Sequence, residues 1–303
     1  MSQTGMIFDV KRFAIHDGPG IRTTVFFKGC ALACPWCHNP EGLENRPEIA
    51  LNRSRCLNDC LACVRVCRPR ALRRKDQAVQ LDRSRCDRCG ECARACPSEA
   101  IQLIGRVTTV AAILEEIDRD EPFYQQDGGG VTFSGGEPLR QPGFLKALLV
   151  GCKSRGYHVA LDTSGFADRK SLAAVAADTD LFLYDLKAID DRVHRRITGA
   201  SNRLILENLR WLAGQKKRVV VRLPLIPGFT ATDDNIAAVA DWLQSMTPLR
   251  QIELLNFHRW GRQKYDKLGK PDRMADAQPL PSARLNEIKN FFSGRGFSVT
   301  TGG

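Results

Sequence analysis

The sequence predicts an α/β protein, one barrel or partial barrel of parallel strands that is interrupted by a small cysteine-rich insert. Two patterns indicate this: strand-like and helical segments alternate along the chain, and eleven of the twelve cysteines lie between residues 30 and 96. In addition, removing roughly sixty residues at 46–106 leaves about 240, a size typical of one barrel domain.

Six segments have the apolar pattern of strands. They are residues 21–27, 130–135, 158–163, 181–186, 219–224 and 252–257. Helical patterns lie between the later strands and after the last: VAAILEEI, PGFLKALLVGC, RLILENLRWLAG, DDNIAAVADWLQSM and SARLNEIKNFF, before a closing FSVTT. Because strands that alternate with helices favour parallel βαβ units, we expect a six-stranded parallel sheet.

The core is expected to be discontinuous, residues 15–45 plus 107–300, with the insert at 46–106. Within the insert, RSRCLNDCLACVRVCRPRAL and RSRCDRCGECARACPSEAI are similar, so two units of about 47–76 and 77–106 indicate an internal duplication. Each unit is too short to form its own hydrophobic core. We therefore expect bound metal to stabilise the insert.

The cysteine spacing of the insert indicates a bacterial-type ferredoxin domain with two [4Fe-4S] clusters. The second unit has the run CxxCxxCxxxCP, whereas the first has one extra residue in its first gap and no proline after its last cysteine, which leaves open the loss of one cluster. Zinc sites favour two separated CxxC pairs, so a zinc ribbon is the weaker alternative. With the ligand crossover usual in such domains, the two sets are Cys56, Cys60, Cys63 and Cys96, and Cys86, Cys89, Cys92 and Cys67.

The formal net charge of +11 does not by itself indicate nucleic-acid binding. Three clusters held by eleven thiolates would change the net charge by roughly −5, which is about half of the formal positive charge. The N-terminus lacks a secretory pattern, and no segment approaches eighteen uninterrupted apolar residues. We expect a cytoplasmic monomer that binds neither nucleic acid nor membrane.

The segment KGCALACPWCHNPE follows the first predicted strand and contains Cys30, Cys34 and Cys37. Active-site loops of α/β barrels lie at the carboxyl ends of the strands. Three thiolates on a four-iron cluster leave one iron without a protein ligand. The spacing therefore indicates a catalytic cluster with a position open to an amine and a carboxylate of a bound molecule.

The motif CxxxCxxC with Trp36, followed by SGGEP, resembles the radical S-adenosylmethionine (SAM) enzymes. The order HDGPGIRTTVFFKGC, insert, SGGEP, DTSG, DLKAIDDRVHRRITG and LLNFHRWGRQKY is similar to that of the glycyl-radical-enzyme activating enzymes, a family like the pyruvate formate-lyase activators. The resemblance covers nearly the whole chain. It implies a partial (β/α)6 barrel in which the open iron binds the methionine end of SAM.

In this family, an electron from the cluster cleaves SAM to methionine and a 5′-deoxyadenosyl radical. The radical takes hydrogen from a main-chain glycine of a partner lyase, which gives 5′-deoxyadenosine and a glycyl radical. The resemblance thus implies an oxygen-sensitive enzyme of anaerobic metabolism, a glycyl radical enzyme as partner, and a flavodoxin or ferredoxin as electron donor. The partner is expected to act on choline, isethionate, glycerol or another diol, hydroxyproline or an arylalkyl substrate.

The resemblance also assigns roles to residues at strand ends. Implied cofactor contacts are Trp36, Cys37, His38, Gly135, Gly136, Glu137, Asp185, Leu186, Lys187, Arg222 and His258. Asp162, Thr163 and Asp185 are candidate ligands of a monovalent cation, for which oxygen donors are suited. The alternatives are that SGGEP is only a turn, that each aspartate caps the following helix, and that Trp36 and His38 only shield the cluster.

Two other functions stay open at this point. One is a radical SAM enzyme that acts on a small molecule or a ribosomal peptide, although its auxiliary clusters would usually follow the barrel. The other is an iron-sulfur electron carrier or regulator, which leaves SGGEP, DLK and the six strands unexplained. Cleavage of SAM to 5′-deoxyadenosine separates this last class from the first two.

Overall fold

The computed structural model describes residues 3–75, 78–246 and 249–302. Its strands are β1 (Thr4–Ala14), β2 (Arg22–Phe27), β3 (Glu48–Leu51), β4 (Leu72–Lys75), β5 (Ala78–Leu81), β6 (Ile101–Ile104), β7 (Arg106–Thr109), β8 (Gly130–Gly135), β9 (His158–Thr163), β10 (Leu181–Asp185), β11 (Val219–Leu225), β12 (Gln251–Asn256) and β13 (Ser298–Gly302). Its α-helices are α1 (Ala62–Arg65), α2 (Glu91–Arg94), α3 (Val110–Asp118), α4 (Glu121–Asp127), α5 (Pro142–Lys153), α6 (Arg169–Ala176), α7 (Asp191–Thr198), α8 (Arg203–Gly214), α9 (Asp233–Gln244), α10 (Arg262–Leu268) and α11 (Ser282–Ser293). Within these described ranges, no helix is long and apolar enough to cross a membrane.

The central sheet has nine strands in the order β13-β12-β11-β10-β9-β8-β2-β1-β7. Strands β2 and β8 to β13 run parallel, while β1 is antiparallel to both β2 and β7. The order has two ends, so the sheet remains open among the residues described. All carboxyl ends of the parallel strands lie on one edge, which is where a binding site is expected.

The six predicted strands are confirmed, but the predicted total of six is too low. FSVTT contains a seventh parallel strand, β13, and the antiparallel strands β1 and β7 were not predicted. Strand β13 lies at the sheet edge and is mostly exposed or half-buried, so it lacks the apolar alternation that identifies the others. Strand β7 has the short, polar sequence RVTT.

The five predicted helices are confirmed as α3, α5, α8, α9 and α11. Their apolar residues pack with both the strands and one another into one large core. Cys152, the one cysteine outside the cysteine groups, is fully buried in this core. Side chains of Thr109, Asp168, Asp190 and Thr232 cap the N-termini of α3, α6, α7 and α9, which stabilises these helix starts.

Residues 48–104 form a smaller unit with two-stranded sheets and a separate hydrophobic cluster. Strand β3 pairs with β6, β4 pairs with β5, and each half contains one short helix, α1 or α2. Non-glycine residues with positive φ occur at equivalent places, Asp59 and Arg88 in one case and Arg70 and Glu99 in the other. The two halves thus repeat one local geometry, although the predicted boundary at residues 76 and 77 lies outside the described residues.

Buried ionic and backbone contacts join this unit to the large sheet. The Nζ atom of Lys28 lies 3.2 Å from one oxygen of Glu48, and Nζ of Lys270 lies 2.8 Å from the other. Arg83 donates a hydrogen bond of 3.3 Å to the carbonyl of Lys267 in α10. Strand β3 is therefore fixed to the loop that precedes the first cysteine group.

Candidate active site

A cavity of about 500 Å³ opens at the carboxyl ends of the parallel strands. The predicted site residues that line it are Cys30, Cys34, Trp36, Cys37, His38, Gly135, Gly136, Asp162, Thr163, Asp185, Lys187, Arg222 and His258. They come from segments separated by up to about 230 residues of sequence and converge because parallel strands end on the same edge. Glu137 and Leu186 do not line the cavity.

Backbone hydrogen bonds hold the loop of Cys30, Cys34 and Cys37 at the cavity wall. The amide of Cys30 donates to Leu43, and the amide of Cys37 donates to Cys34. From outside the loop, the Tyr265 hydroxyl donates to the Cys37 carbonyl at 2.9 Å. The three thiols therefore lie on a backbone that is fixed from several sides.

The three thiols suit a positively charged group. Burial raises the pKa of Cys30 to about 11 and, with the charge of Cys34, that of Cys37 to about 12, and burial also raises the pKa of Cys34. Free thiols here stay protonated near neutral pH, whereas bound iron favours the thiolate form. The donor set fits a four-iron cluster with three protein ligands.

The two glycines of SGGEP allow close backbone packing beside the cysteine loop. A Cβ atom on Gly135 would lie 2.3 Å from the amide nitrogen of Phe27, and one on Gly136 would lie 2.4 Å from the carbonyl oxygen of Gly42. Gly135 also has a φ of +118°, which side chains disfavour. SGGEP is therefore more than a solvent-exposed turn, since its backbone forms part of the cavity wall.

The side chain of Glu137 points into the protein, and its role as a cofactor contact stays a prediction. Its carboxylate accepts bonds from the Thr163 hydroxyl at 2.6 Å and from the Ser164 amide and hydroxyl at 2.9 and 2.6 Å. A fourth bond comes from the Leu139 amide at 3.2 Å. Glu137 thus links SGGEP to DTSG and positions Thr163.

The cofactor contact of Leu186 likewise stays a prediction. Its side chain is 1 % exposed and belongs to the hydrophobic core, and its amide donates to the Arg222 carbonyl at 2.9 Å. A residue at this point of the strand end points away from the cavity because neighbouring residues of an extended chain alternate in direction. Asp185 and Lys187, on either side, do line the cavity.

Asp162 and Asp185 place two carboxylates in the cavity wall. The pKa of Asp162 is raised to about 6, because burial and the negative charge of Asp185 together outweigh the opposing charge of Arg222 at 3.4 Å. Asp162 also accepts a 2.7 Å hydrogen bond from the Ser134 hydroxyl. The carboxylates repel each other, so a cation between them would be stabilised.

Helix capping does not explain these aspartates. The caps of the following helices are Asp168 and Asp190, whose side chains accept from Ser171 and Val193 amides. Asp162 is thus left with its carboxylate at the cavity, as the cation hypothesis requires.

Lys187 carries a buried positive charge between the carboxylates and the cysteine loop. Its Nζ lies 3.2 Å from Asp185. Burial lowers the pKa of Lys187, but Asp185 and the thiols of Cys34 and Cys30 more than offset this, so that its pKa is raised. The amine therefore stays charged and can bind an anionic group in the cavity.

An aromatic wall closes another side of the cavity. The rings of His38 and His258 stack at 3.8 Å, and Trp260 packs on His258 at 4.3 Å. Burial, followed by the neighbouring His258, lowers the pKa of His38 to about 4, so its ring is neutral near pH 7. Nε2 of His38 and Nδ1 of His258 are buried and have no partner among the described residues. These nitrogens fit a flat ligand with polar edges.

Trp36 lies at the cavity but packs mainly into a small hydrophobic cluster. Its ring centroid is 5.8 Å from that of Phe229, and only 7 % of its surface is exposed. It shields the cysteine loop from water and also contributes to the lining.

The cysteines of the smaller unit form two neighbouring sets. Burial and the charges of Cys56, Cys96 and Cys60 raise the pKa of Cys63. Burial and the charges of Cys86, Cys67 and Cys89 raise the pKa of Cys92 to about 11. Each set thus contains three cysteines of one unit and the last cysteine of the other.

In the part of the chain that the structure describes, no three His, Cys, Asp or Glu side chains converge closely enough to hold a single metal ion. Thiolates of a four-iron cluster bind different irons and lie further apart than the ligands of one zinc ion.

Several cavity residues were not predicted as site residues. They include Lys11, His16, Asp17, Ser134, Asn256, Trp260 and Lys264. Five of them lie within HDGPG and LLNFHRWGRQKY, and Ser134 begins SGGEP, so position in a motif was the available signal. Lys11 had none, because strand β1 was not predicted.

The comparisons with known proteins agree with this geometry. Residues 24–243 match the model of the Radical SAM superfamily. The chain is 42% identical over 290 residues to an isethionate sulfite-lyase activating enzyme of Oleidesulfovibrio alaskensis, covering 94% of this chain and 91% of that one. It is 38% identical over 301 residues to a trans-4-hydroxy-L-proline dehydratase activating enzyme of Clostridioides difficile, covering 98% and 99%.

A crystal structure of a domain of the pyruvate-formate lyase-activating enzyme of Bacteroides vulgatus is also similar. Its TM-score is 0.50 at 33% identity, and the match covers 58% of this chain and 100% of that one. The chain therefore belongs to the radical SAM superfamily and, within it, to the glycyl-radical-enzyme activating enzymes. Membership confirms the resemblance of the motifs and implies SAM and one SAM-binding four-iron cluster.

Proposed function

We propose that this protein activates a partner glycyl radical enzyme by reductive cleavage of SAM and removal of hydrogen from a main-chain glycine. The observation that supports this most strongly is the convergence of three cysteines, two glycines and the charged strand ends on one cavity. When bound, the cluster and SAM supply the electron transfer and the 5′-deoxyadenosyl radical.

The residues of the chain would bind and orient the cluster and SAM. Cys30, Cys34 and Cys37 would hold the cluster, the Gly135–Gly136 backbone and Lys187 would bind the amino-acid end of SAM, and the wall of His38 and His258 would contact its flat base. Arg222 stays charged because Asp162 and Glu253 outweigh the effect of burial and raise its pKa. It fixes the position of Asp162.

We also propose a monovalent cation held by Asp162, Thr163 and Asp185. The raised pKa of Asp162 and the charge of Asp185 support this, because both carboxylates gain from a positive neighbour. The Thr163 hydroxyl donates to Glu137 and accepts from the Gly165 amide, which leaves one lone pair of its oxygen for a cation.

The remaining eight clustered cysteines are proposed to hold two ferredoxin-type clusters in the crossed sets Cys56, Cys60, Cys63 and Cys96, and Cys86, Cys89, Cys92 and Cys67. The cysteines whose charges raise the pKa of Cys63 and of Cys92 are the other members of these two sets, which supports the assignment. We propose that these clusters pass electrons from a flavodoxin or ferredoxin to the active site. The sequence and fold leave the partner enzyme open, since relatives of similar identity have names with different substrates.

Anaerobic SAM cleavage tests the proposal. Iron-reconstituted protein with dithionite is expected to release 5′-deoxyadenosine and methionine. The matched control is Cys30→Ala, which lacks one ligand of the proposed catalytic cluster but retains the smaller unit. Absence of both products from the wild-type protein, even with candidate lyases added, would refute the proposed function.

A further inference from the structure

The two halves of the smaller unit differ in what they expose beside their cysteines. In the first half, Leu57 and Leu61 directly follow Cys56 and Cys60, and 51 % and 36 % of their surfaces are exposed. Aspartate and glycine, Asp87 and Gly90, occupy the equivalent positions of the second half. Only the first half therefore presents bulky apolar side chains next to its cysteines.

The charged residues differ in the same way. Arg65 lies one helical turn after Leu61, so both share a face of α1, and Arg65 makes no ion pair with any residue that the structure describes. Its counterpart Arg94 pairs with Glu91. Arg74 donates to the Cys60 carbonyl at 3.3 Å. We call Leu57, Leu61, Arg65 and Arg74 the outer face.

The outer face lies away from the large sheet. In the second half, a Cβ atom on Gly90 would lie 2.9 Å from Leu103 of β6, and one on Gly105, just after β6, would lie 2.5 Å from Lys28 of the large domain. The second-half cysteines thus lie on the side of β6 and the catalytic loop. The first-half position equivalent to Leu103 is Arg74 in β4, which among the described residues pairs with β5 alone.

The outer face carries a strong local charge. Residues 56–75 include six Lys or Arg and one acidic residue, Asp59. Most of these basic side chains are exposed. Two leucines within a positively charged rim have the composition of a transient docking site for an acidic protein, where charge steers the encounter and apolar contact holds it.

We propose that the outer face docks a small acidic electron-donor protein. This rests on the proposed function, which requires one electron per SAM cleaved. The reduced donor loses one electron, the metal group held by Cys56, Cys60, Cys63 and Cys96 gains it, and no bond or proton is transferred between the two proteins. The second-half cysteines lie on the side of β6, and Gly105, which follows β6, packs near Lys28, just before the catalytic loop.

The first test is binding, measured by calorimetry with the iron-loaded protein and with an acidic flavodoxin and an acidic ferredoxin as probes. Arg65→Glu is expected to raise Kd on the order of tenfold, equivalent to about 1.4 kcal/mol. The control Arg94→Glu makes the same charge change at the equivalent position of the second half and is expected to alter Kd less than about twofold. Binding to the wild-type protein should weaken with salt.

The second test separates docking from chemistry. In Leu57→Ser/Leu61→Ser, SAM cleavage driven by the probe protein should fall strongly, while cleavage driven by dithionite should equal that of the wild type and thereby show an intact fold. Unchanged binding in both outer-face variants, an equal loss in Arg94→Glu, or no binding of either probe to the wild type would overturn the proposal. No cleavage with dithionite in the wild type would instead refute the proposed function, while the calorimetry would still decide on the surface.

Discussion

Glu137→Gln tests whether this buried carboxylate positions the cavity wall. The wild-type carboxylate accepts four hydrogen bonds, two on each oxygen, from Thr163 and Leu139 on one side and from Ser164 twice on the other. Glutamine keeps the shape but offers one acceptor oxygen and an amide group. With its oxygen towards Ser164, the amide faces the Leu139 N–H, which then has no acceptor.

The size of the effect follows from these contacts. A buried N–H without a partner costs about 1–3 kcal/mol, and each bond to a charged group that becomes neutral loses about 1 kcal/mol. Removal of a charge that burial disfavours offsets part of this, since burial raises the pKa of Glu137. The net loss is about 2–3 kcal/mol, which lowers Tm by about 4–12 °C.

The assay is a double-mutant cycle on the iron-loaded, SAM-free protein, with Tm measured under argon. Ser164→Ala should be coupled to Glu137→Gln by about 1 kcal/mol, because the two residues share a hydrogen bond. Ser134→Ala is the control, since Ser134 donates to Asp162 instead. Additive effects with Ser164→Ala, or loss of SAM affinity with no change in Tm, would refute the positioning role and favour direct contact with the cofactor.

Three further predictions concern the same cavity. Asp162 has a pKa of about 6 in the folded protein and an ordinary value near 3.8 in the unfolded chain. Its ionisation therefore opposes folding by up to about 3 kcal/mol, and this stability is lost as the pH rises between about 4 and 6. When the pH falls from 7.5 to 5.5, this group should therefore raise the free energy of unfolding of the SAM-free protein by about 0.8 kcal/mol. Thermal melts of Asp162→Asn should lack this increase. An equal increase in the variant would contradict the prediction. Cys30→Ala should keep about two-thirds of the iron in a colorimetric assay, since two of three clusters are separate, whereas iron near zero would show dependent sites. Tyr265→Phe loses the bond to the Cys37 carbonyl and should release catalytic-cluster iron to a chelator faster than the wild type; an unchanged rate would show that the bond does not restrain the loop.

The sequence predicted the features with strong local signals. Strands such as 158–163 and 219–224 are mostly apolar because both of their faces are buried, one in the large core and the other in a small cluster that includes Ala160, Leu183 and Val220. Strand β1 alternates in an irregular way, with bulges between Ile7 and Asp9 and between Lys11 and Ala14, so its pattern is broken. Its residues pair with partners in β2 that are 8 to 20 residues away in the sequence, which no local pattern reveals.

The sequence predicted that residues in the motifs lie at the site, but it did not predict the direction of each side chain. SGGEP indicated that residues 135–137 are near the cofactor, yet the carboxylate of Glu137 turns inward to four donors. That turn depends on the backbone of Ser164, 27 residues further along the chain. The stacking of His38 on His258 likewise joins segments whose proximity only the fold establishes.

The most direct test of the central claim follows one hydrogen atom. The protein, SAM and dithionite are incubated anaerobically with the candidate partner lyase labelled with deuterated glycine. Mass spectrometry should find one deuterium in 5′-deoxyadenosine, and electron spin resonance should find a glycyl radical in the lyase in equal amount. Unlabelled 5′-deoxyadenosine with no radical, from each candidate lyase, would contradict hydrogen removal from glycine.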